Sequence, residues 1–141
     1  MFVIDASVCV KWFIEEDDSK IALSLKRTHL IEADILIAPD LLIPETTSAL
    51  FKSRLFSLAE IKSCIRQLYE LDMNLISLSP DLIMLAIGLA STKSVTIYDA
   101  IYLATAKELG LQFITADKKL YTQVHGDLHF VNLLSQLAVS P

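Results

Sequence analysis

The sequence predicts an α/β fold, a three-layer α/β/α sandwich around a mainly parallel central sheet. Two observations point to it. Short apolar runs such as Phe2-Val3-Ile4 and Ile35-Leu36-Ile37-Ala38 alternate along the whole chain with longer stripes at helical spacing. Acidic residues also stand where strand or loop would turn into helix, at Asp5, Glu45, Asp99 and Asp117. In an open parallel sheet the carboxyl ends of the strands and the first turns of the following helices share one edge, where ligands bind. Acids more than a hundred positions apart can therefore meet.

The elements follow in order. Phe2 to Asp5 reads as a strand, and Ser7 to Ile14 as a short helix carrying Trp12. Glu15-Glu16-Asp17-Asp18 is an acidic turn that complements the N-terminus of a helix from about Ser19 to Glu32. Ile35 to Ala38 is the second strand, ended by Pro39-Asp40, and a helix from about Leu42 to Leu55 comes next. Ser57-Leu58-Ala59-Glu60 is a capping box, after which Ile61, Cys64, Ile65, Leu68 and Leu71 keep one helical face. Residues 42–71 thus form an antiparallel helix pair between two strands. Asn74 to Leu78 is the third strand. Ser79-Pro80-Asp81 opens a further helix with a cap and a proline at its first position. Thr96 to Leu109 is a helix closed by Gly110; a strand before Asp117, a short helix after it and a strand around Leu128 to Val131 complete the chain.

With 141 residues and no linker, repeat or low-complexity segment, the expectation is one domain spanning residues 1–141. The apolar fraction of 53% is somewhat high, yet stretches such as Leu82 to Ala90 are far too short to span a bilayer. The surplus implies an exposed apolar face for self-association, placed in the helices of residues 19–71. A strand beginning at Phe2 leaves no room for a signal peptide, and Cys9 and Cys64 fit free thiols in a reducing cytoplasm. A net charge of −5 argues against a broad basic surface that grips nucleic acid. It does not exclude a nuclease, because divalent ions held by carboxylates reverse the local charge.

The four acids form an all-oxygen donor set, which suits Mg²⁺ or Mn²⁺. Such a metal activates water and stabilises charge on a phosphoryl oxygen, so phosphodiester hydrolysis is the natural reaction class. Ser7 and Thr115, each two residues from an acid, could hydrogen-bond the ligating carboxylates. Singly, each acid also has a structural use: Asp117 and Asp99 suit helix starts, and Glu45 suits a first turn. Only their conjunction at one edge points to an active site. Lys11, four residues after Ser7, and Lys52, seven after Glu45, share helical faces with site residues and could contact substrate phosphate. His125 and His129 have zinc-helix spacing, but Gly126 interrupts it and no Glu follows His125, so they read as loop or strand residues.

The segments Asp5-Ala6-Ser7-Val8-Cys9-Val10-Lys11-Trp12-Phe13, Pro44-Glu45, Tyr98-Asp99-Ala100 and Thr115-Ala116-Asp117-Lys118-Lys119-Leu120 resemble, in order and spacing, the successive motifs of PIN-domain proteins, most closely VapC-type toxins. The resemblance covers essentially the whole chain. It implies a PIN-like sandwich, Mg²⁺- or Mn²⁺-dependent endoribonuclease activity in the cytoplasm, homodimerisation, and inhibition by a small antitoxin protein encoded alongside. Asp5, Glu45, Asp99 and Asp117 match the family's acidic quartet, and Ser7 and Thr115 its neighbouring hydroxyls. Ser48 stands where many relatives carry Asn, which shortens the contact expected there. Other phosphoryl-transfer folds fit poorly: a haloacid dehalogenase would need an acid where Ser7 stands, and a receiver domain an acidic pair near the first strand. The rival is a non-catalytic PIN-like scaffold that binds RNA or protein, against which the intact quartet argues.

Overall fold

Extended backbone at Phe2–Ile4 (β1), Leu36–Pro39 (β2), Asn74–Ile76 (β3), Gln112–Thr115 (β4) and Val131–Leu133 (β5) builds the sheet of the computed structural model, which describes residues 1–138. The strands run in the order β3-β2-β1-β4-β5 and every neighbouring pair is parallel. Seven α-helices among the described residues cover it: Ala6–Val10 (α1), Ser19–Leu30 (α2), Leu42–Ser53 (α3), Leu58–Glu70 (α4), Pro80–Lys93 (α5), Ile97–Leu109 (α6) and Lys118–Val124 (α7). The chain builds outward from β1 to β3, then returns to the other side of β1 for β4 and β5. Strand order therefore reverses at β1 and β4, and the crevice beyond their carboxyl ends is where such sheets bind ligands.

The helix starts follow from local chemistry. Ser57 and Glu60 make both bonds of a capping box, with Glu60 N–H donating to Ser57 Oγ at 3.2 Å and Ser57 N–H to Glu60 Oε2 at 2.6 Å. Ser79 caps α5 ahead of Pro80, and Thr96 caps α6. Gly110 ends α6 in the left-handed region at φ 64°, which only glycine adopts without a Cβ penalty. From Ala100 to Ala106 every residue of α6 is buried, so the middle of this helix is internal while both its ends reach the surface. It packs on α5 and lies across β1, β2 and β4. Its first turn is thereby fixed beside the carboxyl end of β1.

Several boundaries differ from the sequence reading. The first helix stops at Val10 rather than Ile14, because Lys11, Trp12 and Phe13 donate three residues back in a tight turn. Trp12 Nε1 then bonds the Ala22 carbonyl at 2.8 Å, tying that turn to α2. The second strand runs one residue later than expected and includes Pro39, whose missing N–H falls at the strand's last residue. The third ends at Ile76, two residues short of Leu78. The final strand is Val131–Leu133 rather than Leu128 to Val131, since the Leu128 N–H still bonds the Val124 carbonyl and prolongs the end of α7.

Candidate active site

Asp5 is the first residue after β1, and its carboxylate caps α1 while holding together two distant segments. Oδ1 accepts from the Ser7 hydroxyl and from Val8 N–H at 3.4 Å; Oδ2 accepts from Thr115 Oγ1 at 2.5 Å. Each hydroxyl is itself an acceptor, Ser7 Oγ from Ala116 N–H at 2.8 Å and Thr115 Oγ1 from Asp117 N–H at 3.1 Å. A hydroxyl has one proton. Both are committed to Asp5, so the 3.3 Å approach of Ser7 Oγ to Thr115 Oγ1 is a contact with no proton to share. This network fixes the β1 and β4 ends to one another and sets the path of the chain into Asp117.

The other three acids come from helix starts. Asp117 caps α7, accepting from Leu120 N–H at 3.0 Å through Oδ1. Asp99 lies in the first turn of α6, where Thr96 Oγ1 accepts from the Asp99 N–H at 3.1 Å. Its carboxylate does not complete a capping box by reaching back to the Thr96 amide, in contrast to Glu60 in α4. Glu45 stands in the first turn of α3 and accepts from the Tyr102 hydroxyl at 2.9 Å through Oε2. Tyr102 is buried one turn beyond Asp99 and stacked on Phe113. Its role at the site escapes a reading by residue type, since an aromatic ring on an apolar helix reads as core; the three-residue offset from Asp99 is the signal that could have found it.

Electrostatically Asp99 is the hub. Burial raises the Asp5 carboxyl to about 7 despite the lowering hydrogen bonds from Ser7, Thr115 and Val8, and the Asp99 charge adds to the rise. Burial likewise raises Glu45, opposed by the Tyr102 hydrogen bond and reinforced by Asp99. Asp99 is raised by burial, opposed by Thr96 and reinforced by Asp117. None of the four carboxylates forms an ion pair among the described residues. Four acids linked through Asp99 and free of ion pairs among the described residues have the donor chemistry of a hard divalent ion. As the side chains stand, no group of three His, Cys, Asp or Glu among the described residues is placed to hold a metal ion. The oxygen donors fit such an ion in kind, and a shared ligand set requires side-chain rotation.

The remaining sequence candidates divide. Ser7 and Thr115 are in direct contact with Asp5. Ser48 is exposed one turn from Glu45 and lines an open cleft of about 560 Å³ together with Glu45, Lys52 and Tyr98. Lys11 lines a depression with Ser7 and Ala116, and its ammonium bonds Glu16 Oε2 at 3.1 Å and the Asp17 carbonyl at 2.7 Å. The acidic turn is thus the partner of Lys11, and Asp18, in the left-handed region at φ 67°, makes no side-chain cap to α2. Lys119, which the sequence reading passed over, lines a second depression of about 220 Å³ with Asp99 and Asp117. His125 ends α7 stacked on Tyr121, and His129 is exposed beyond it. Cys9, buried near Asp5, has its thiol pushed well up by burial, which keeps it unreactive.

The sequence matches the PIN domain family over residues 2–124. No curated protein matches it. Among solved structures, it is similar to a chain of a toxin–antitoxin complex from Klebsiella pneumoniae, with a TM-score of 0.71 at 19% identity, covering 97% of this chain and 100% of that one. A protein of Pyrobaculum aerophilum gives a TM-score of 0.65 at 23% identity, covering 95% of this chain and 90% of the other. A sarcin–ricin-loop-cleaving VapC toxin of Mycobacterium tuberculosis gives 0.66 at 13% identity, covering 88% and 95%.

Proposed function

The chain belongs to the PIN domain family, and from that premise we propose that it is an Mg²⁺- or Mn²⁺-dependent endoribonuclease, the toxin of a toxin–antitoxin pair. The observation that carries this reading is the convergence of Asp5, Glu45 and Asp117 on Asp99, with no ion pair to any of the four among the described residues, at the point where strand order reverses. A divalent ion bound there neutralises charge on a phosphoryl group and acidifies water. The chain's own residues do the rest. Asp5, clamped by Ser7 and Thr115 and raised to about 7 by burial, would hold the ion in its ionised form. Asp117 and Glu45 each keep one carboxylate oxygen uncommitted, because the cap and the Tyr102 hydroxyl occupy the other. The Asp99 charge acts on Asp5 and Glu45, and the Asp117 charge acts on Asp99.

Incubating the purified protein with RNA in Mg²⁺ or Mn²⁺, with and without EDTA, tests the proposal. EDTA-sensitive cleavage that Asp99→Asn abolishes is expected. Cleavage that survives EDTA, or that persists in the variant, contradicts it. The spread of the carboxylates favours the second reading, a PIN scaffold that binds without cutting; binding with no cleavage in either metal would establish that reading instead. Similarity to a chain from a toxin–antitoxin complex supports an antitoxin partner. We place its inhibitory contact in the acidic cleft, where an Arg or Lys pairs with two carboxylates.

A further inference from the structure

Successive residues at the start of α6 open on different depressions. Asp99 faces the hollow that holds Asp117 and Lys119, whereas Tyr98 lines the larger cleft with Glu45 and Lys52. Glu45 thus opens on one hollow, and Asp99 and Asp117 on the other. Tyr98 is 55% exposed, while Tyr102 one turn later is 1% exposed, so the first ring is held out beside the site rather than packed beneath it. Among the described residues it stacks on no other ring, and Lys52 forms no ion pair. The α3 face across the cleft carries Ser48 and Ala49 between Glu45 and Lys52, small side chains that leave room for a planar group.

We infer that Tyr98 is a stacking platform for an unpaired base of the RNA next to the bond that is cut, with Lys52 holding the neighbouring phosphate. This deepens the ribonuclease reading and rests on it for the identity of the substrate. An aromatic face and a cation on opposite sides of one cleft are the two groups by which single strands are held without sequence readout. A base inside a duplex is stacked on its neighbours and offers no free face. The pairing of Tyr98 with Lys52 beside Glu45 thus selects single-stranded segments or splayed loops.

The experiment measures binding of a fluorescein-labelled RNA decamer of mixed sequence, single-stranded and as a duplex, to wild type, Tyr98→Ala, Tyr98→Phe and Lys52→Ala in Ca²⁺, and then cleavage kinetics in Mg²⁺ and Mn²⁺. Tyr98→Ala is expected to weaken single-strand binding about tenfold and to raise KM with little change in kcat. Tyr98→Phe keeps wild-type affinity, because stacking needs the ring and not the hydroxyl. Lys52→Ala weakens binding and lowers the salt dependence by about one phosphate contact. The duplex binds less tightly and is indifferent to Tyr98. Wild-type affinity and KM in Tyr98→Ala alongside EDTA-sensitive cleavage would overturn this inference and leave the ribonuclease reading standing. Ring-dependent binding with no cleavage in either metal would do the reverse. Normal RNA binding by Tyr98→Ala with loss of a co-purifying partner protein would assign the ring to a protein interface and also overturn it.

Discussion

Thr115 shows how much a single residue can carry. Its hydroxyl donates to Asp5 and accepts from the Asp117 amide, so it joins the end of β1 to the start of α7 through one oxygen. Thr115→Val keeps the shape and the β-branch but strands a buried carboxylate oxygen and an amide. A loss of about 1–3 kcal/mol in urea unfolding is expected. Asp5 would also lose one of the bonds that hold its proton affinity down, so its titration should move further up. Unchanged stability would mean that the network is incidental to the fold. The residue types here were readable in the sequence, since a hydroxyl two positions from an acid suggests a carboxylate contact. What could not be read was which partners each would choose. Lys11, four residues after Ser7, and Lys52, seven after Glu45, are both expected on the face of a site residue, yet Lys11 is captured by Glu16. Proximity across a turn decided that, and helical spacing does not encode it.

At the scale of elements, legibility follows the strength of the local signal. The start of α4 was fixed by Ser57 and Glu60, and the structure makes both bonds of the box. Ser57→Ala should cost about 1 kcal/mol, measured as a lower urea midpoint with an unchanged slope. A slope change instead would show that the helix contributes to more than its own start. The end of α6 was announced by Gly110, but α3 and α5 also end in the left-handed region, at Arg54 and Ser94, with no glycine to mark them. The expected strand around Leu128 slid to Val131 because apolar residues at a helix end and in a strand look alike over so short a stretch. Long stripes such as Ile61 to Leu71 left no such ambiguity. The internal position of α6 explains the rest. Tyr102 reaches Glu45 only because α6 is packed across β1, β2 and β4, a fact of tertiary placement that no window of sequence contains.

For the molecule as a whole, the acids make stability depend on pH in a definite direction. Asp5 is raised from 3.8 to about 7 in the folded state, and Glu45 and Asp99 are raised as well. Between these values the folded protein holds protons that the unfolded chain has released, so the contribution of these groups to stability is fully present in acid and is lost as pH rises through that window. Melting temperature in EDTA should decline from pH 5 to pH 8, and Asp99→Asn should flatten the decline. A flat or rising wild-type curve would contradict the burial of Asp5. Self-association is a second property of the whole. Phe51, Leu55 and Leu58 are exposed by 54%, 66% and 60% at the junction of α3 and α4, beside a small cluster of Leu50, Ile61 and Cys64. A homodimer through this region is proposed, and light scattering should give twice 15.7 kDa at micromolar concentration. A monomer there would remove it.

We propose that Asp5, Glu45, Asp99 and Asp117 act as one cation site rather than as four separate caps and surface acids. Because Asn caps a helix about as well as Asp, isosteric substitution separates the two. The deciding measurement is the rise in melting temperature produced by Mn²⁺ in wild type, Asp5→Asn, Glu45→Gln, Asp99→Asn and Asp117→Asn. An ion that binds only the folded state at about a hundred times its Kd adds roughly 2.7 kcal/mol, a shift of several degrees. That shift is expected in the wild type, and its loss or sharp reduction in all four variants, Asp99→Asn included although its metal-free protein should melt higher. An undiminished Mn²⁺ response in the variants would contradict it.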